Sequence, residues 1–208
     1  MKNYLAVDIG GTYIKYANVD RSGTLYKTQR IATPDSLAGL KQCLVAIISR
    51  SRSTIYGVGI SCPGRIDPQT GVVYNGGALP FLHTFSLAEF VEQQFDLPCA
   101  VCNDGKAAAL SELWLGHLKG YKNAAAIVLG TGVGGGIIVN GQLLQGEHFQ
   151  AGEFSFIPSQ STSGNTKDLI GFSASAVQFI QHAAKRLNLA DRYDGISVFK
   201  AIEEKMLK

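Results

Sequence analysis

The chain has 208 residues, 46% of them apolar and 17% charged, with 19 basic against 16 acidic side chains for a net charge of +3. That balance supports a buried core and excludes a disordered chain. The charge is small and scattered, and no apolar run is long enough for a membrane helix, so neither a nucleic acid nor a membrane is an expected partner.

Residues 1–8 carry Asp8 where a signal peptide would be apolar, so they read as a strand and the expected compartment is the cytoplasm. Residues 4–9, 13–19 and 24–32 form an antiparallel meander, broken by Gly10-Gly11 and by a turn at 20–23. Pro34-Asp35 opens a helix in which Leu37, Leu40, Leu44, Ile47 and Ile48 recur at helical spacing up to Arg50. A buried strand at 55–61 ends at Cys62-Pro63-Gly64, and residues 66–74 read as a hairpin around Gly71. After a glycine-rich loop at 75–80 come a helix at 87–95 and a strand at 98–102. A further helix begins at Asn103-Asp104 and runs to about residue 118.

The opening pattern then repeats. Residues 124–129 form a strand, 130–136 a glycine-rich turn, and 137–139 a second strand, with Asn140-Gly141 turning into a third at 142–145. One helix is expected over about 173–187, and another from about 197 to the end. A strand, a tight Gly/Thr turn and a strand thus occur twice, at 8–13 and 129–137. Two related α/β lobes follow, 1–118 and 119–208, joined near 117–122, with a cleft between them as the natural ligand site. Of the four cysteines, Cys43, Cys62, Cys99 and Cys102, the last two form C-x-x-C. With no second pair or histidine cluster to complete a zinc set, and an apolar strand-like setting, they read as buried packing residues rather than a redox pair.

Four segments carry chemistry. In Asp8-Ile9-Gly10-Gly11-Thr12-Tyr13-Ile14-Lys15, the glycines let backbone N–H groups approach a phosphate. Thr12 adds a hydroxyl, Lys15 a charge, and Asp8 a carboxylate for magnesium-bound water. Residues 129–136 hold five glycines, more than a hairpin needs. With no G-K-S/T after them and no helix following, they match neither a Walker loop nor a dinucleotide fingerprint, which leaves a strand–loop–strand phosphate clasp. Asp104, in Asn103-Asp104-Gly105-Lys106-Ala107-Ala108-Ala109, sits at a helix N-terminus. Alone it reads as an N-cap; between two phosphate-type loops it reads as a base that accepts a hydroxyl proton. The fourth segment, residues 147–153, offers Glu153 to sugar hydroxyls.

Together D-I-G-G-T-Y-I-K at 8–15, G-I-S-C-P-G at 59–64, N-D-G-K-A-A-A at 103–109, L-G-T-G-V-G-G-G at 129–136 and A-G-E at 151–153 resemble the ROK family of sugar kinases and sugar-responsive repressors. The resemblance covers nearly the whole chain. It implies the ribonuclease H-like, actin-like ATPase fold and an ATP- and Mg2+-dependent transfer of the γ-phosphate to a hexose or β-glucoside, with the 6-hydroxyl as acceptor. It makes Asp104 the catalytic base and Asn103 its sugar-binding neighbour. Gly10, Gly11, Thr12 and Lys15 become one phosphate loop, and Thr131, Gly132, Gly134 and Gly135 the other. Glu153 holds the sugar, with Gly64, Arg65, Asn75, Gly76 and Gly77 lining its side of the cleft.

Three positions depart from the family pattern. Phe156 stands where a histidine is usual, no cysteine occupies the zinc segment at 161–168, and Ile170 replaces a further sugar-binding glutamate. No structural zinc is therefore expected, and the sugar pocket around Phe156 and Ile170 becomes more apolar, as in the zinc-motif-lacking, β-glucoside kinase-like branch. Family members also extend further at the C-terminus, where the rest of the adenine site and a helix packing on the first lobe lie, so activity of this shorter chain is an open point. A regulator would need a DNA-binding helix-turn-helix before the first strand, and that strand begins within five residues of Met1. A sugar-binding remnant without catalysis stays open, and a homodimer is what the family suggests.

Overall fold

The computed structural model describes residues 3–159 and 168–206. Strands β1 (Asn3–Ile9), β2 (Tyr13–Val19) and β3 (Leu25–Ala32) form the expected meander. It is extended on the other side of β1 by β4 (Ile55–Cys62) and β8 (Cys99–Asn103). The sheet order is β3-β2-β1-β4-β8, with β4 and β8 parallel to β1. Between β4 and β8 lie β5 (Arg65–Ile66), β6 (Val72–Asn75) and β7 (Phe85–Ser86), a small antiparallel sheet.

One face of the large sheet builds the core. Alternation along β1 sends Leu5, Val7 and Ile9 inward. Helix α1 (Leu37–Ser51), N-capped by Ser36, sets Leu40, Leu44, Ile47 and Ile48 against them, and α2 (Leu87–Phe95) adds Leu87 and Val91. The other residues of β1, Tyr4, Ala6 and Asp8, face the opposite side. There Gly57, Gly59, Trp114 and Leu115 share an apolar groove with Tyr4 and Ala6.

Helix α3 (Asp104–Trp114) leaves the end of β8 and crosses to the second sheet, order β11-β10-β9. Here β9 is Ala124–Leu129, β10 Val133–Val139 and β11 Gln142–Leu143. The glycine-rich turn expected over 130–136 is only residues 130–132. Gly134, Gly135 and Gly136 lie inside β10, paired with Val128, Ile127 and Ala126. Gly135 and Gly136 have no room for a side chain, whereas a Cβ on Gly134 would meet only the Gly105 Cα at 3.6 Å. A Cβ on Gly105 would stand 2.5 Å from the Gly135 nitrogen, and one on Gly136 would stand 2.7 Å from the Ala109 Cβ. Both contacts are closer than side chains tolerate, so the strand is smooth to let α3 lie directly on it.

Other boundaries shift for local reasons. Helix α3 stops at Trp114 rather than near 118, because Glu112 turns back to accept from the His117 N–H at 2.9 Å. The single helix expected over 173–187 is two, α4 (Ile170–Ser173) and α5 (Ala176–Arg186). Buried Ser175 breaks it by N-capping α5, accepting from the Gln178 N–H. Helix α6 (Gly195–Met206) closes the described chain and packs on α5 through Phe199 and Phe179. Among the described residues, no helix is long and apolar enough to cross a membrane. The four cysteines are free thiols. Cys99 and Cys102, three apart on one strand, point to opposite faces, and burial raises both thiols, Cys99 to about 12. Neither is a ready thiolate, which agrees with the packing reading.

The α3–β10 contact gives a direct test. Gly105→Ala is expected to lower stability by about 1–3 kcal/mol in urea denaturation, because the new methyl strikes backbone that has nowhere to go. Gly59→Ala adds a methyl that meets nothing within 4 Å and is expected to change stability by less than about 0.5 kcal/mol.

Candidate functional site

The site gathers at the C-terminal ends of the parallel strands, where open α/β sheets place their ligands. Register aligns Asp8 with Ser61 and Ser61 with Cys102 across β1, β4 and β8, and Cys62 with Asn103. The chain then passes from Asn103 into α3. The expected N-cap role of Asp104 is taken by Asn103, whose Oδ1 accepts from the Lys106 N–H at 3.1 Å. Asn103 also donates from Nδ2 to the Gly64 carbonyl at 3.0 Å, tying the 62–65 turn to the helix start. Asp104 is thereby released from capping. It is the first helical residue, and its Oδ1 accepts only from its neighbour's N–H, at Gly105, 2.8 Å away.

The Asp104 carboxylate opens toward solvent, with protein crowded behind it. Desolvation raises its pKa, and the negative charges of Asp8 and Glu153 raise it further, against the lowering effect of the Gly105 N–H. Asp104 thus lies within electrostatic reach of the last residues before the first turn and of the A-G-E segment. Asp8 is held by the Ser61 hydroxyl at 2.8 Å, and Lys15 lies 3.9 Å from its other oxygen. That contact is solvent-exposed and weak.

The first turn, 10–12, is fastened from behind. Thr33 donates its hydroxyl to the Gly10 carbonyl at 2.7 Å and its N–H to the Thr12 carbonyl at 3.0 Å. Gly11 and Thr12 themselves stay exposed. The second turn is fastened in the same manner, since the Ala176 N–H at the start of α5 donates to the Gly130 carbonyl at 3.0 Å. Thr131 and Gly132 are exposed at its tip. Gly134 and Gly135 are set back in β10 against Gly105, so Asp104 is linked to both arms of this arrangement: its neighbour Gly105 touches β10, and the Asp8 charge acts on its carboxylate.

Beside Asp104 is a cavity of about 400 Å³, the size of a sugar site. Of the expected sugar-side residues, Gly64, Arg65, Asn75, Gly77, Asn103 and Glu153 line it. Gly76 does not; it is buried under the turn, where a Cβ would lie 1.9 Å from the Leu79 carbonyl. Asp104 borders the cavity through Asn103 and Lys106 rather than lining it. Glu153 is oriented by Ser155, whose N–H and hydroxyl both donate to its Oε1. Phe156 lines the cavity and is 63% exposed. Ile170 is not among the lining residues; it starts α4, and its N–H bonds the Ile157 carbonyl. The change expected from Phe156 and Ile170 together therefore rests on Phe156 alone. The zinc segment at 161–168 falls, but for Asp168, outside the described residues.

Several lining residues escaped the sequence reading: Tyr74, His83, Lys106, Phe149 and Gln150. Lys106 is the most telling. It is buried, and its Nζ donates to the Gln145 carbonyl, the Gln145 Oε1 and the Phe149 carbonyl. Burial lowers its pKa, while Cys102 and Glu153 pull it back up. Its motif position two residues after Asp104 was a signal, but partners some forty residues away gave it no readable role.

The partly repeated meander and the ligand end of the parallel strands define a protein of the ribonuclease H-like, actin-like ATPase class. The chain belongs to the ROK family, whose model matches residues 4–167. A β-glucoside kinase of Listeria innocua is 37% identical over 160 residues, covering 74% of this chain and 53% of that protein. A β-glucoside kinase of Klebsiella pneumoniae is 35% identical over 161 residues, covering 76% and 54%. The chain thus spans about half the length of these curated relatives. Among solved structures, a ROK family glucokinase from Streptomyces griseus in complex with glucose and AMPPNP superposes with a TM-score of 0.79 at 30% identity. That match covers 89% of this chain and 61% of that one. A ROK family protein from Streptococcus pneumoniae in complex with sucrose gives 0.79 at 31%, covering 98% and 68%.

The raised Asp104 pKa fixes the sign of a stability test. A carboxylate whose folded pKa lies above its unfolded value penalises the folded state when ionised, and the penalty is full above the folded pKa and absent below the unfolded one. Asp104→Asn is therefore expected to melt above the wild type at pH 7.5, and the gain is expected to vanish as the pH falls to about 3.5, below the ordinary aspartate value. Thermal melts at the two pH values measure it.

Proposed function

We propose that this chain is the sugar- and phosphate-binding part of an ATP-dependent sugar kinase, with the two sheets, residues 1–118 and 119–208, as its two lobes. The observation that carries the reading is the placement of Asp104. It is freed from capping by Asn103, flanked by strand-connecting glycine turns on both sides, and bordered by a polar cavity of sugar size. Membership of the ROK family supports it.

In this mechanism the sugar lies in the cavity, with hydroxyls on Asn103, Glu153 and Asn75, and Gly64, Arg65 and the 75–77 turn, Gly76 included, shaping the wall. ATP lies with its phosphates toward the turn of Gly10, Gly11 and Thr12 on one side, where Gly11 and Thr12 are exposed and the Gly10 N–H is held by the Tyr13 carbonyl, and toward Thr131 and Gly132 on the other. Gly134 and Gly135 support that second turn from β10. Lys15 offsets phosphate charge. Asp8, a hard oxygen donor at a strand end, suits the hydrated Mg2+ that ATP brings. The sugar oxygen, which we take to be the primary 6-hydroxyl, forms a bond to the γ-phosphorus as the bond to the β,γ-bridging oxygen breaks. Its proton passes to Asp104, and ADP leaves. Raising the base's pKa brings its proton affinity closer to what late proton transfer needs.

An ATP-coupled assay over a panel of hexoses and β-glucosides tests the reading. Turnover is expected with at least one sugar. Asp104→Ala is expected to lower kcat by about 10²–10⁴-fold while sugar affinity changes little. The wild-type rate is expected to fall on acidification, as Asp104 takes up a proton. A wild-type rate in Asp104→Ala would remove the assigned base, and sugar binding without any transfer would leave a sugar-binding protein.

A further inference from the structure

Glu153 comes at the end of a loop that has no regular structure of its own. Residues 144–152 follow β11 and turn through left-handed backbone at Gly146 (φ 72°), Phe149 (φ 60°) and Gly152 (φ 78°). Phe149 is the costly one, because a bulky side chain rarely adopts that conformation, and it persists only where the surroundings impose it. The loop's own bonds are short-range. The Phe149, Ala151 and Glu153 N–H groups donate to the Gly146, Gln145 and Gln150 carbonyls at 3.3, 3.1 and 3.1 Å. They curl the loop without fixing its direction. Ser155 orients the Glu153 side chain, but it does not decide where the backbone at 153 stands.

Two contacts from outside supply the direction. At the far end, Gly152 lies against β10, where a Cβ would come within 2.9 Å of the Gly136 Cα. In the middle, Lys106 reaches the loop from α3. It is 4% exposed, and its Nζ donates to the Gln145 carbonyl at 3.3 Å, the Gln145 Oε1 at 2.8 Å and the Phe149 carbonyl at 2.9 Å. An ammonium has three donors, and all three go to this one loop. Burying a cation against neutral oxygens is expensive, and a methionine of similar length would fill the space without that cost. What the ammonium adds is a fixed loop. Held at 145 and 149, the loop delivers Gln150 and Glu153 to the cavity that Lys106 itself lines. The charge of Glu153 acts on Lys106 as it does on Asp104.

We propose that Lys106 is a positioning residue for sugar recognition, anchoring the 144–153 loop to the helix that begins at Asp104. Asp104 and Lys106 are two residues apart on one rigid turn of α3, so the base and the loop that carries Glu153 share a frame. Glu153 then meets the sugar at a set distance from the hydroxyl that Asp104 serves. The inference rests on the sugar-kinase reading and adds to it a residue that acts on sugar affinity through Glu153.

Calorimetric titration with glucose, mannose and methyl β-D-glucoside, and separately with Mg·AMPPNP, tests it in the wild type, Lys106→Met, Glu153→Gln and the double variant. Lys106→Met is expected to weaken the sugar that the wild type binds by about tenfold, as loss of a charged hydrogen-bonding anchor demands. Affinity for Mg·AMPPNP is expected to stay within about twofold, because Thr33 and Ala176 fasten the two glycine turns and Lys106 does not. A general loss of folding would affect both ligands alike. The double variant is expected to bind sugar within about twofold of Glu153→Gln alone, since residues that act through one another do not add. Should Lys106→Met misfold, Gln145→Ala carries the test. Gln145 does not line the cavity, so its loss reaches the sugar only through the loop, and an affinity about threefold weaker is expected, again without adding to Glu153→Gln. Sugar affinity unchanged in these variants, or a loss that adds in full to that of Glu153→Gln, overturns the positioning role alone. Binding of none of the three sugars by the wild type overturns the sugar-kinase reading with it.

Discussion

The approach of α3 to β10 at backbone distance is the constraint on which the site depends. Helix and strand touch through Gly105 against Gly135 and the Ala109 methyl against Gly136, with no larger side chain at either contact. Any wider spacing would carry Asp104 away from the second glycine turn, because Asp104 is the residue next to the contact. The same helix is rooted at its other side in β8, whose register with β4 and β1 sets Asn103 and Asp8 at one end of the sheet. One helix start thus belongs to both sheets, and the residue at that start is the one whose chemistry the fold displays.

Electrostatics follows from that geometry. The charges of Asp8 and Glu153 both act on Asp104, and each of those two carboxylates has its own stabilising partners. Ser61 and Lys15 serve Asp8, and Ser155 serves Glu153. Asp104 has only the adjacent Gly105 N–H, so repulsion and desolvation fall on it and raise its pKa. Lys106, the one buried cation among the described residues, spends its three donors on loop carbonyls and leaves the carboxylates unneutralised by direct contact.

Much of the architecture was legible because local signals agreed. The alternation of Leu5, Val7 and Ile9, the helical spacing of Leu40, Leu44, Ile47 and Ile48, and the Asn140-Gly141 turn each specified an element that the structure contains. The misreadings share one cause: they turn on what lies across from a residue. Gly134, Gly135 and Gly136 read as loop because glycine is ambiguous between freedom and close packing, and what lies across decides it: α3 at Gly136, the Ala126 carbonyl and Phe154 ring at Gly135. Gly76 read as a cavity residue, but it is the turn beneath the cavity that requires it. The break at Ser175 was accessible in principle, since Ser175 and Gln178 have the spacing of a capping box. Lys106 was not, because its partners Gln145 and Phe149 are close only after the second sheet folds onto α3. Phe156 was singled out and lines the cavity; Ile170, singled out beside it, faces elsewhere.

The central claim is that sugar and nucleotide meet at one point, the start of α3, from opposite sides. Backbone amide shifts of the labelled chain, titrated separately with a glucoside and with Mg·AMPPNP, measure this most directly. The account predicts that the glucoside moves amides at 64–77 and 149–156, that the nucleotide moves those at 10–12 and 130–132, and that only residues 103–106 respond to both. Responses to the two ligands on unconnected faces, with 103–106 silent, would contradict it.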